Sequence, residues 1–214
     1  MTNGQIYHVC NKSIAGFVIF NNDSEYMRMK NLIKYYQLED PPTKFSYFMS
    51  HLNEGGDILN LDLIDRKNKL INIIAYCLMP THIHLVLQQL KDNGISIFMS
   101  NILNGYTRYF NIRHKRKGPL WVGRFKRVVV STDEQLLHLT RYVHLNPVTS
   151  YLIEKPESWT YGSYNEYCSQ GTTDEEMCCY ENILDIDSKS YKNFVNDRKE
   201  YQRELAKIKE LMLE

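Results

Sequence analysis

The run Met79-Pro80-Thr81-His82-Ile83-His84-Leu85-Val86-Leu87 constrains this chain more than any other. It reads as a buried strand entered from a proline turn, and it carries two imidazoles two residues apart. Side chains at i and i+2 of a strand point to the same face. His82 and His84 therefore stand together while Ile83 and Leu85 pack on the opposite face. Such a pair can share a metal ion if a third ligand arrives from elsewhere in the fold. The tripeptide alone decides little, because a chain with seven histidines produces one by accident.

The neighbouring segments supply a sheet for that strand and helices to cover it. Ile6 to Phe20 reads as two short strands or one bent hairpin. Asp23-Ser24 can cap a helix from about Glu25 to Gln37, in which Tyr26, Met29, Ile33 and Tyr36 recur at helical spacing, and Pro41-Pro42 stops it. Strands are expected at Phe45–Met49, Ile58–Ile64 and Asn72–Met79, followed by the histidine strand at about His82–Gln88. A second helix, capped by Ser96, runs to about His114 with Phe98, Ile102, Tyr106 and Tyr109 on one face. Arg124–Val130 is a short basic strand. A third helix, capped by Thr132-Asp133, runs from Glu134 to about Leu145 and ends at Asn146-Pro147. The alternation lacks the long crossovers of a parallel doubly wound fold, which points to an α+β fold, a ferredoxin-like antiparallel sheet with helices on one face. Residues 1–168 form the expected catalytic domain. Residues 169–214 are expected as a linker and a C-terminal helical tail, whose Tyr191, Phe194, Tyr201, Leu205, Ile208 and Leu211 make a weak apolar stripe.

The net charge of +1 conceals a segregation along the 214 residues. Between Asn93 and Thr132 there is no Asp or Glu, while Arg108, Arg113, Lys115, Arg116, Lys117, Arg124, Lys126 and Arg127 are all cationic. Tyr106, Tyr109, Phe110, Trp121 and Phe125 are interleaved with them. Cations for phosphates and flat rings for stacking are what a nucleic-acid surface requires, although a solvated basic loop has the same composition. The five cysteines include no Cys-x-x-Cys, so neither a disulfide framework nor a thiolate zinc site is indicated. No run is apolar enough to cross a bilayer and the start does not resemble a signal peptide, so a cytoplasmic protein with no membrane partner is expected.

Chemistry is carried by Arg141-Tyr142-Val143-His144-Leu145-Asn146-Pro147. Tyr142 and Asn146 are four residues apart and share a helix face. If Asn146 gives its amide oxygen to a metal held by His82 and His84, Tyr142 comes beside that metal, and the open coordination positions suit phosphate oxygens. A phenol, with a pKa of about 10, needs such activation to act as a nucleophile. Tyr142 is, however, one of sixteen tyrosines, and Asn146 can be a plain helix terminator. Tyr106 and Tyr109 are rival nucleophiles with stacking or core packing as their other roles. His144 lies off the Tyr142–Asn146 face and reads as structural.

In order, Tyr7-His8-Val9, Ala75 to His84, Tyr106-Thr107-Arg108-Tyr109-Phe110-Asn111, Gly118 to Lys126, Tyr142 to Val148, and Trp159 with Ser163-Tyr164 resemble the REP-associated tyrosine transposases. These lie within the single-tyrosine branch of the His-hydrophobe-His nucleases, which includes small insertion-sequence transposases. The resemblance covers roughly residues 7–167. It implies that His82, His84 and Asn146 bind Mg²⁺ or Mn²⁺ and that Tyr142 attacks single-stranded or hairpin DNA, forming a 5′-phosphotyrosine. Arg108, Arg113, Lys115, Arg116, Lys117, Trp121, Arg124, Lys126 and Arg127 are the expected DNA-binding residues, in a monomer or homodimer. Two positions depart from the family pattern: Thr81 stands where Asn or Asp is common, and Gly118-Pro119-Leu120-Trp121 replaces Gly-His-Leu-Trp. The rival readings are a transposase-derived DNA binder without catalysis and an RNA-binding protein.

Overall fold

Alternation in the first strand sets the plan of the molecule. In the computed structural model, which describes residues 1–41, 43–53, 68–169, 177–181 and 183–198, β1 (Ile6–Lys12) buries Tyr7 and Val9 and turns His8, Cys10 and Lys12 to the other face. β2 (Ile71–Met79) and β3 (His82–Gln89) meet at the Pro80-Thr81 turn, and β4 (Lys126–Val130) follows. The four-stranded sheet has the order β2-β3-β1-β4 with every neighbour antiparallel. With one helical connection after β1 and another after β3, this is the ferredoxin-like α+β arrangement that the sequence predicts.

Two helices line one face. α1 (Asp23–Tyr36) starts two residues earlier than expected, because the Asn22 side chain accepts the Glu25 N–H. Its stripe of Tyr26, Met29, Leu32 and Ile33 is buried with Phe98, Ile102, Tyr106 and Phe110 of α3 (Gly94–Arg113) against Val9, Leu85 and Leu87. α3 begins at Gly94 rather than near Ser96. Asn93 there is left-handed with φ 57°, and a Cβ on Gly94 would meet Leu70 O at 2.4 Å.

Phe45–Met49, expected as a strand, lies instead in helix α2 (Phe45–Asn53). Aromatic side chains favour strands on average, but Phe45 and Phe48 are three apart and both reach Tyr35, at ring-centroid distances of 5.3 and 4.8 Å. Helical spacing outweighs propensity. The expected strand Ile58–Ile64 lies outside the described residues.

The other face is covered as well, which corrects the expectation of helices on one face only. α4 (Asp133–Thr149), α5 (Tyr164–Cys168) and α6 (Ser188–Asn196) enclose a second core in which Ala75, Cys77, Met79 and Val86 meet Val143, Tyr164, Tyr167, Tyr191 and Val195. The sequence shows why in retrospect: β2 and the far half of β3 are apolar on both faces, and a half-exposed sheet would not be. Thr132 caps α4 as expected, its hydroxyl accepting from Gln135 N at 3.1 Å. The helix does not stop at Asn146-Pro147, because burial of Pro147 and Val148 holds the last turn in place and Ser150 N reaches Asn146 O at 3.0 Å. Among the described residues no helix is long and apolar enough to cross a membrane.

One polar chain ties this second layer to the sheet. Ser163 Oγ accepts from Tyr76 N at 2.9 Å and lies 2.7 Å from His144 Nε2, whose Nδ1 is 2.6 Å from Tyr191 Oη. All four residues are buried. Ser163→Ala leaves the Tyr76 N–H and one imidazole nitrogen without partners, so a loss of about 1–3 kcal/mol is expected. Urea denaturation of the variant beside the parent protein measures it, and an unchanged midpoint would contradict the assignment.

Candidate active site

The β1–β3 register builds the site. Cys10 pairs with His84 and Lys12 with His82, so His8, Cys10, Lys12, His82 and His84 share the face beneath α4. The rings of His82 and His84 are 5.0 Å apart at 81°. Thr81 Oγ1 is 3.0 Å from His82 Nδ1, and His8 Nε2 is 3.0 Å from His84 Nδ1. His8 also stacks on His84, with centroids 5.2 Å apart and planes 11° apart. Both Nδ1 atoms are thus engaged, while neither Nε2 has a hydrogen-bond partner among the described residues. A ligating histidine usually has its second nitrogen held in this way.

Burial keeps these rings neutral. It pushes His84 down to about 3, with His82, His8 and Lys12 adding to the effect, and His82 down to about 4, with help from Lys12. Neutral imidazole is the form that binds a metal. Among the described residues no group of three His, Cys, Asp or Glu side chains is arranged to hold one, so a third donor supplied by these residues is of another type.

α4 delivers that type of residue along with the tyrosine. The Tyr142 ring stands edge-on to His84 at 5.7 Å and to His8 at 6.2 Å, and it remains 43% exposed. Asn146, one turn further along, is buried and donates through Nδ2 to Tyr142 O at 3.0 Å. Burial raises the Tyr142 phenol above its ordinary range, and a side-chain hydrogen bond with Asn146 draws it back in part. In the protein alone the nucleophile candidate is therefore a neutral phenol. The donor set of two neutral imidazoles and a carboxamide fits a divalent cation that prefers nitrogen and oxygen ligands.

The rival tyrosines lie on the far side of the sheet. Tyr106 is fully buried on α3, its hydroxyl donates to Ile19 O, and burial pushes its phenol far up. The ring of Tyr109 packs under the Arg28 guanidinium at 5.0 Å.

The basic segment is carried to the histidine end of the sheet. Val122 N donates to Lys12 O at 2.8 Å and Ile14 N to Leu120 O at 2.9 Å. Arg108, Lys115, Lys117, Arg124, Lys126 and Arg127 are exposed. Three expected DNA-binding residues are committed elsewhere. Trp121 is 8% exposed and its indole donates to Leu103 O, so it is a core residue and its ring is not a stacking surface. The Arg113 guanidinium pairs with buried Glu25 at 3.3 Å, an acid supplied from across the fold to a segment that has none of its own. Arg116 is held by Asn111 Oδ1 at 3.0 Å and Pro119 O at 2.6 Å. Conversely, His8 and Lys12 escaped the sequence reading. The alternation of β1 puts them off the core face, but only the register with β3 brings them to the histidines.

Residues 64–146 match the family model described as "Transposase IS200 like". That segment contains His82, His84, Tyr142 and Asn146. A Haemophilus influenzae protein provisionally named a REP-associated tyrosine transposase is 26% identical over 102 residues, which cover 43% of this chain and 58% of that protein. The solved structure of a REP-associated tyrosine transposase bound to a REP hairpin superposes with a TM-score of 0.54 at 13% identity, over 87% of this chain and 92% of that one. The chain therefore shares the fold of that protein, and the resemblance drawn from the motifs is borne out.

Stability should depend on pH through the buried imidazoles. His82, His84 and His144 have folded-state values pushed down to about 4, 3 and 3 from 6.5. Below about 6.5 the unfolded chain takes up protons that the folded chain refuses, so stability is full above that pH and falls as the pH drops towards 4. Urea midpoints measured with a chelator present should decline steadily over this window. A flat profile from pH 7 to 4.5 would contradict the buried neutral state.

Proposed function

We propose that this protein is a metal-dependent transposase-like nuclease of single-stranded and hairpin DNA, acting by transesterification through Tyr142. The observation that carries the reading is the Tyr142 ring set edge-on to His84, which stands beside His82; the Nδ1 atoms of both histidines are held, and their Nε2 atoms have no hydrogen-bond partner among the described residues. The match of residues 64–146 to the IS200-like model and the fold shared with a hairpin-bound transposase support it. His82, His84 and Asn146 would hold Mg²⁺ or Mn²⁺, which when bound draws charge from a phosphate and favours the phenolate.

The protein's own groups account for the rest. Exposed Arg108, Lys115, Lys117, Arg124 and Lys126 hold backbone phosphates, and Lys12, paired with His82 in the sheet, adds a cation at the reacting end. The Tyr142 oxygen attacks phosphorus as its proton passes to solvent. The bond from phosphorus to the 3′ oxygen breaks, leaving a 5′-phosphotyrosine and a free 3′-hydroxyl that can reverse the step. The bond energy is conserved in the covalent intermediate, so no nucleotide cofactor is needed.

Three results are expected. Tyr142→Phe should abolish the covalent adduct with labelled hairpin DNA on denaturing gels while Tyr106→Phe and Tyr109→Phe, if folded, retain it. His82→Ala and His84→Ala should lose nicking with Mg²⁺ or Mn²⁺ yet keep hairpin binding within a few-fold in gel shifts, and full nicking by both would refute the metal assignment. Replacing Lys115 and Lys117 by Gln should flatten the slope of log affinity against log salt by roughly 0.7 per lost single-strand contact. A matched RNA hairpin serves as the control, since equal cleavage of RNA would favour the RNA-processing reading.

A further inference from the structure

The loop between β1 and α1 presents an aromatic ring outside both hydrophobic cores. Ser13 N donates to Thr81 O and Ile19 N to Pro80 O, both at 2.8 Å, so the loop is fastened to the turn that precedes His82. On its other side Ser13 bridges to Trp121 of the basic segment. Within it Ala15 and Gly16 are left-handed at φ 50° and 66°, and Ser13 Oγ donates to Phe17 O at 2.6 Å. This backbone turns Phe17 outward: it is 46% exposed, beside Val18 at 46%, with Val122 across the bridge at 57%.

Phe17 lies against the basic segment. The Arg116 guanidinium lies 5.3 Å from its ring centroid, and the two hydrogen bonds of Arg116 to Asn111 and Pro119 hold it there. Lys115, Lys117 and Arg124 are exposed in the same basic segment. A lone exposed apolar residue needs no explanation. A ring held in a fastened loop, next to a fixed guanidinium of an exposed basic segment, has the elements of a base-stacking platform. With Trp121 buried and Tyr109 and Phe125 partly buried, it is more exposed than the rings of the basic segment itself.

We propose that Phe17 stacks an unpaired nucleobase of the DNA strand beside the phosphate that Tyr142 attacks. The ring thereby favours hairpins with a single-stranded flank over blunt hairpins. This rests on the nuclease reading above, and the occupant is single-stranded DNA because the surrounding charge is positive.

The test uses the full chain and hairpins carrying 2-aminopurine in the unpaired flank. Wild-type protein should quench the fluorophore, as stacking does. Phe17→Ala should lose the quenching and bind the flanked hairpin roughly 5- to 150-fold more weakly, while binding of a blunt hairpin stays unchanged. Phe17→Trp should restore both. Equal quenching and affinity in Phe17→Ala overturns the proposal with DNA binding intact, whereas wild-type protein that binds neither hairpins nor single strands overturns the reading beneath it. A change confined to self-association in sedimentation would assign the surface to a second copy of the chain instead.

Discussion

The structure depends on burying β3 along both of its faces. It is flanked by β1 and β2, lined beneath by α1 and α3, and roofed by α4. One face of this strand, Ile83, Leu85 and Leu87, is plain core. The other begins with two histidines and passes to Val86, so the polar part of a buried strand is confined to one end. Partial burial there costs the imidazoles their charged form, which is why both are pushed down to about 4 and 3. The same burial makes each ring rely on one neighbour for orientation, Thr81 for His82 and His8 for His84. Thr81, a departure from the family pattern, still supplies an oxygen to the first ring.

Features set by local spacing were legible in the sequence. The alternation of β3 and the helical recurrence in α1 and α3 gave the antiparallel sheet and its first helical layer. Failures came where tertiary contacts overrode local preference. Phe45 and Phe48 form a helix because both can reach Tyr35, and α4 continues through Pro147 because its last turn is buried. Of the second helical layer, α4 and a helical tail containing α6 were expected, but not their place on the opposite face, and α5, only five residues long, shows no period to read.

The candidate site divides in the same way. His82 with His84 and Tyr142 with Asn146 are pairs fixed by strand and helix geometry, and each was found from its own spacing. His8, Lys12 and Glu25 act across distances that spacing does not encode. Glu25 shows the consequence: it is fully buried, accepts from Asn21 through one oxygen, and faces Arg113 and His114 with the other. Two of the positively charged or chargeable groups near the end of α3 are thereby paired with an acid. A segment without acids in sequence is not a segment without acids in space.

What sets Tyr142 against the histidines is the seating of α4. Tyr142 itself is partly exposed and makes only edge contacts with His84 and His8, which do little to hold a helix. The anchoring comes from the next turn and the opposite side, where His144 is gripped between Ser163 and Tyr191 and Ser163 is bonded to the backbone of β2 at Tyr76. β2 is paired with β3 through Met79 and His82, so the chain of contacts from nucleophile to imidazoles runs through rigid elements at every step. α6 takes part through Tyr191 and through Phe194, whose ring lies 4.1 Å from the Arg141 guanidinium next to Tyr142. The helix that carries the tyrosine is thus held on its far side by residues beyond position 187, outside the 64–146 segment that matches the transposase family.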